Sequence, residues 1–182
     1  MSQHATPSFD ASKFKEAVIY ICSKSEGDPR FGSVKLNKIM FYADFRAYTE
    51  LGAAITWATY RHLSEGPAPK EMLPCRSELE SDQALKMETR SYFNRLQQRP
   101  VALRPADIDV FTGREVAILD GAIDHLRGRD ASEATDMSHR EWGWKLTNEN
   151  EDIPYALAWL SPDPLTEEQI SVGEQLAQGL QS

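Results

Sequence analysis

Apolar residues recur at Phe14, Ala17, Val18, Ile21 and Cys22, the i, i+3, i+4, i+7, i+8 spacing of one helical face. Asp10 stands in the N-cap position, with Phe9 before it placed to staple onto Phe14. The run Ser25–Arg30 (SEGDPR) ends this helix with Gly27 and Pro29. A second helix is expected from a cap at Ser33 to about Glu50. Its apolar residues form two adjoining stripes, Leu36, Ile39, Met40, Ala43 and Ala47 beside Phe41, Phe45 and Tyr48. Only a narrow polar edge of Asn37, Lys38 and Asp44 remains, so the pattern predicts a central helix packed on two sides, stopped by Gly52.

Beyond Gly52 the β-branched and aromatic run Ala54–Leu63 predicts a strand, with Ile55, Trp57 and Thr59 on one face and Thr56, Ala58 and Tyr60 on the other. Gly66, Pro67 and Pro69 predict a rigid corner, followed by a helix through Arg76 to about Asp82 with Pro69 or Pro74 in its first turn. Leu85 to Leu103 reads as two short strands around a polar turn, with Pro100 marking an edge. Capping boxes at Thr112/Glu115 and Asp130/Glu133 open helices that stop at Gly128 and near His139, and Thr166 with Gln169 opens a last one carrying Ile170, Leu176 and Leu180. The intervening stretch from His139 to Leu160 has no period and reads as ordered coil. The expected architecture is α+β and predominantly α-helical: a flexible leader over 1–8, then a single compact domain over 9–182 with about six helices and a small antiparallel sheet.

Composition adds exclusions to this picture. With 28 acidic and 20 basic residues the formal charge is −8, a field that repels phosphate backbones and anionic lipid, so neither nucleic acid nor membrane is expected as a partner. No apolar run approaches the roughly 20 residues needed to span a bilayer, and MSQHATPSFD lacks the basic and apolar regions of a signal peptide, which makes a cytoplasmic location the expectation. Cys22 lies on an apolar stripe as a small core residue, and the sequence assigns no role to Cys75. The four histidines, His4, His62, His125 and His139, are scattered without metal-ligand spacing, so no metal site is expected. Glycine patterns of nucleotide-binding loops and hydrolase elbows are absent, and the prolines of Gly66-Pro67-Ala68-Pro69 remove donors that an anion-binding nest needs. Lys35 and Lys38 share a helix edge, followed by Arg61 on the next element, and read as a solvated or salt-bridged edge. The one enzymatic alternative is a small hydrolase or transferase built on His139 with Asp136 or Glu141.

The helix KLNKIMFYADF (Lys35–Phe45), followed by Gly52, Ile55, Thr59-Tyr60 and the corner Glu65-Gly66-Pro67-Ala68-Pro69, resembles the Panacea, or SocA-like, antitoxin domain. The order and spacing match from Lys35 to Met72, and WKLTNENEDIPYALAWL (Trp144–Leu160) is similar to the family's irregular C-terminal part. The resemblance implies a cytosolic bacterial or phage protein that neutralises a cognate protein toxin by binding it directly, without catalysis or cofactor. It also implies alternatives: an adaptor delivering a toxin or other cargo to an ATP-dependent protease, or a phage-associated protein without a toxin. No additional DNA-binding domain is expected after the core. On this reading the signature residues Lys35, Leu36, Lys38, Tyr42, Ala43, Asp44, Gly66, Pro67 and Pro69 serve mainly as scaffold, and Trp142, Trp144 and Tyr155 are the candidates for toxin contact.

Overall fold

The computed structural model describes residues 8–92 and 95–160. The expected leader, apart from its last residue, and the helix expected from Thr166 therefore lie outside the described residues. Helix α1 spans Ala11–Lys24, and Asp10 caps it by accepting the Lys13 N–H at 2.9 Å. The rings of Phe9 and Phe14 meet edge-on at 5.5 Å, completing the staple. Helix α2 spans Ser33–Leu51 and ends at Gly52, which adopts the left-handed conformation (φ 78°) that a side chain would resist. Ser33 is not its cap: Gly32 holds that position, and the Ser33 hydroxyl instead donates to the Gln98 carbonyl, tying the helix start to a distant strand.

The expected strand over Ala54–Leu63 shrinks to two residues, β1 (Tyr60–Arg61), because two carboxylates and the backbone at the start of α1 capture the groups that a ladder would use. The Thr56 N–H goes to Asp44 at 2.8 Å, the Thr59 N–H goes to the Glu71 carboxylate, and the Thr56 carbonyl takes the Asp10 N–H. Trp57 then turns the chain with a positive φ of 55°, incompatible with extended backbone. Strand β1 pairs antiparallel with β2 (Ala68–Pro69), Tyr60 opposite Pro69, and takes a bridge from Asp152 on the side of Arg61. The corner between the strands includes Gly66 at φ 89°.

Helix α3 spans Met72–Ser81 and carries Pro74, not Pro69, in its first turn. A hairpin follows, β3 (Leu85–Tyr92) against β4 (Arg95–Ala102), with Met87 opposite Pro100. This hairpin and the β1–β2 pair are separate two-stranded sheets rather than one. Helices α4 (Gly113–Leu126) and α5 (Ala131–Ser138) both open on complete capping boxes, at Thr112/Glu115 and Asp130/Glu133. The stretch expected as coil contains one helical turn, α6 (Trp142–Lys145), and a 3-10 segment over Tyr155–Trp159. The described residues thus hold six α-helices and two small antiparallel sheets, a predominantly helical α+β fold.

Helix α2 is the axis of the fold, touching α1, α4, α5, β2, β4 and the 3-10 segment. Leu36, Ile39, Met40, Phe41 and Ala43 are each almost wholly buried, every large side chain contributing about 1.5–3 kcal/mol of hydrophobic stabilisation. Both cysteines are buried free thiols, and burial pushes the Cys22 thiol up to about 12, so it stays protonated and inert.

A buried arginine fastens the hairpin to this core. Arg99, on β4, donates to the carbonyls of Asp28 (2.7 Å), Phe31 (3.0 Å), Ser25 (3.2 Å) and Glu26 (2.7 Å), closing the whole α1–α2 turn around one guanidinium. Replacing Arg99 by Met strands these carbonyls, so we expect a loss of about 3 kcal/mol in chemical denaturation and faster hydrogen exchange across residues 25–31.

Candidate functional site

The polar residues of α2 do not face water. Lys35, Lys38 and Asp44 are each 1% exposed, which corrects the solvated half of the solvated or salt-bridged edge expected at Lys35 and Lys38, while Lys35 does form a salt bridge. An uncompensated charge in such a place costs several kcal/mol, so each must find partners, and each finds them on a different segment.

Lys35 reaches back across the α1–α2 turn to Asp28 at 2.5 Å and donates a second bond to the Arg129 carbonyl at 2.9 Å, just after α4. Burial alone would raise the Asp28 carboxyl, but the Lys35 ammonium and the N–H groups of Arg30 and Gly128 outweigh it and hold the group below its ordinary value. The pair thereby locks three chain segments together.

Three residues on, Lys38 meets the Gly-Pro corner. Its ammonium donates to the Pro67 carbonyl at 3.0 Å, and no carboxylate among the described residues pairs with it directly. Burial pushes the amine down to about 7, with exposed Glu65 only partly opposing. Gly66 is required at this contact: a Cβ there would run into Ser138 Oγ and lie 2.8 Å from the Lys38 nitrogen. Pro67 supplies the acceptor carbonyl for α2, and Pro69 pairs with Tyr60 of β1, so the corner is held from both sides.

Asp44 is the hub of the third contact. Its carboxylate accepts the Thr56 N–H (2.8 Å), the Thr56 hydroxyl (2.5 Å), the Tyr60 hydroxyl (2.9 Å) and, more distantly, the Tyr155 hydroxyl (3.4 Å). Burial nevertheless keeps its carboxyl above the ordinary value, the four donors opposing. Leu36 and Ala43 lie in the core, and half-buried Tyr42 stands edge-on to His125 at 4.9 Å, its hydroxyl pushed upward by burial and by Glu141.

The residues expected to meet a toxin are placed as follows. Tyr155 stacks on Phe45 at 4.7 Å and donates to the Ala58 carbonyl at 2.8 Å, so much of it belongs to the frame. Trp144 is sandwiched between His62 (4.2 Å) and His139 (3.8 Å), with its indole N–H on the Leu63 carbonyl. Trp142 is half-buried under the Lys145 ammonium. The sandwich also fixes His139, whose imidazole is lowered by burial and by the nearby Lys38 charge. Among the described residues no three His, Cys, Asp or Glu side chains converge where they would hold a metal ion. Sequence reasoning missed Asp28, Thr56 and the histidine–tryptophan sandwich; only the tripeptide-like turn chemistry around Asp28 offered a signal.

The residues from Leu36 to Lys145 match the family model described as antitoxin SocA-like, Panacea domain. The chain belongs to this family. The matched span, 36–145, contains α2 from its second turn through α6, and with it the Lys38–corner and Asp44 contacts. No curated protein and no solved structure matches the chain. In this Panacea domain both members of the buried pair, Asp28 and Lys35, lie just before the matched span. No described helix is long and apolar enough to cross a membrane.

Two outcomes follow from these contacts. Asp44→Ala leaves the buried Thr56 and Tyr60 donors without an acceptor and should cost about 3–5 kcal/mol of unfolding free energy, whereas Asp44→Asn, which keeps one acceptor oxygen, should cost less. Lys38 titrates near 7 when folded and at its ordinary 10.5 when unfolded, so between those values the unfolded chain holds a proton that the folded chain lacks. Its burial penalty is full below about 7 and relieved as pH rises toward 10.5, so the stability of Lys38→Met relative to the parent should fall across that window in pH-dependent denaturation.

Proposed function

We propose that this protein is a cytoplasmic, non-catalytic antitoxin that neutralises a cognate protein toxin by direct binding. The observation that carries the reading is the family match across 36–145, which names an antitoxin-like domain. The geometry is in keeping with it. Three ionisable signature residues are spent on internal contacts, Lys35 on Asp28, Lys38 on Pro67 and Asp44 on Thr56 and Tyr60. The hydrolase alternative finds no support in the position of His139, which is stacked flat against Trp144. A scaffold of this kind leaves exposed side chains free for a partner. Bacterial or phage origin and a toxin encoded next to this chain are parts of the same proposal.

Co-expression with the product of the adjacent open reading frame tests it. The neighbour alone should arrest growth of a bacterial host, this chain should restore growth, and the two should co-purify with unchanged toxin half-life. A harmless neighbour, or toxicity that persists in the presence of this chain, would overturn the reading; a toxin that disappears faster in its presence would favour the protease-adaptor form instead.

A further inference from the structure

A cavity of about 400 Å³ opens between the start of α2, the β1–β2 pair and α3. Its volume lies at the small end of the roughly 300–1,000 Å³ typical of ligand pockets, enough for one or two side chains. Although the chain carries a net charge of −8, the cavity walls hold three cations, Arg61, Lys70 and Arg76, and no carboxylate. Lys70 is neutralised outside by Asp152 at 2.5 Å, and Arg76 sits at a loose 3.8 Å from Glu80. Arg61 has no carboxylate partner among the described residues, and its half-buried guanidinium has an Nε closed to water with no hydrogen bond. A half-buried cation without a counterion is costly, and an incoming anion would relieve that cost.

The remaining features identify the kind of anion. Asn37 in the same wall carries a buried Oδ1 without a donor, which a bare carboxylate cannot satisfy but a peptide N–H can. Leu36 and Met72 supply an apolar floor, while Leu73 (62% exposed) and Leu63 (36%) extend apolar surface at the lining into solvent. Arginine is among the residue types that anchor interfaces, and the exposed apolar surface beside it gains from being covered. We propose that this cavity is a docking pocket for a short segment of a protein partner in which an Asp or Glu is flanked by aliphatic residues, the carboxylate meeting Arg61 and Arg76 and the backbone meeting Asn37. This rests on the binding role proposed above, and the partner segment would then belong to the toxin. The pocket lies at the Gly-Pro corner that Lys38 positions, so the scaffold contacts and the docking surface share one wall.

A display library of random peptides selected on the immobilised full chain tests the pocket without requiring the toxin. Enriched peptides should carry an acidic residue next to Leu, Ile or Val. A synthetic copy should bind about tenfold more weakly to Arg61→Glu and to Arg76→Glu, a loss of about 1.4 kcal/mol, and be unaffected by Arg90→Glu on the exposed hairpin. Leu73→Asp, a surface change that cannot disturb the core, should weaken binding as well, and circular dichroism confirms that each variant is folded. Enrichment of peptides without carboxylates, no enrichment, binding indifferent to both arginine reversals, or equal displacement by millimolar acetate or succinate would each overturn the proposal, the last by making the site one for small carboxylates. Failure of the growth rescue with acidic peptides still selected removes the antitoxin reading and leaves the pocket; rescue by the wild type and equally by the Arg61→Glu, Arg76→Glu double variant does the reverse.

Discussion

Burying three ionisable side chains on a single helix is the constraint around which this molecule is arranged. Packing α2 into the core shuts Lys35, Lys38 and Asp44 away from water, and desolvation of each charge outweighs what the helix itself can return. The compensation comes from elsewhere in the chain: the α1–α2 turn and the residue after α4 for Lys35, the Gly-Pro corner for Lys38, and the segment before β1 for Asp44. Loops that would otherwise be loosely held are therefore pinned at defined points. Removing one partner leaves a charge or a donor stranded, and this makes the arrangement cooperative.

That arrangement separates framework from surface. The buried charges of α2, on Lys35, Lys38 and Asp44, are consumed inside, while Asn37, Arg61, Arg76, Leu63 and Leu73 stand beside them with spare bonding capacity or exposed area. A domain built this way can keep its interior constant while the side chains around the corner vary, which is the property a binding module needs. The same separation explains why Tyr155 and Trp144, attractive as contacts by residue type alone, are largely occupied by Phe45 and by two imidazoles.

How much of this was legible in the sequence depended on the range of the interaction. The start of α1 and the starts of α4 and α5 are set by caps three residues long, and Asp10, Thr112 and Asp130 announced them. The central position of α2 followed from its nearly complete apolar circumference, and the hairpin from two short runs around a polar turn. The run before Tyr60 misled because β-propensity registers side-chain type, whereas its backbone donors are taken by Asp44, 12 residues earlier, and by Glu71, 12 residues later. The lysines were legible in part: a salt bridge was one expected alternative and Lys35 makes it with Asp28 seven residues earlier, but nothing local reveals an acceptor 29 residues onward at Pro67 or 94 onward at Arg129. The resemblance from Lys35 to Met72 located the helix and corner of the matched family, but residue type alone did not disclose that Arg61 has no carboxylate partner among the described residues.

The β3–β4 hairpin has a consequence for how the molecule behaves in a crowded solution. Strand β3 has β4 as its one strand neighbour, and a row of unpaired backbone groups on the other side of a strand is a template onto which a foreign strand can zip. Here Lys86, Glu88 and Arg90 alternate along β3 with their charges tied to one another, Glu88 lying 2.6 Å from both neighbours. An invading strand would have to strip water from that charged comb before gaining its first backbone bond, so the ribbon acts as its own guard against sticky self-association.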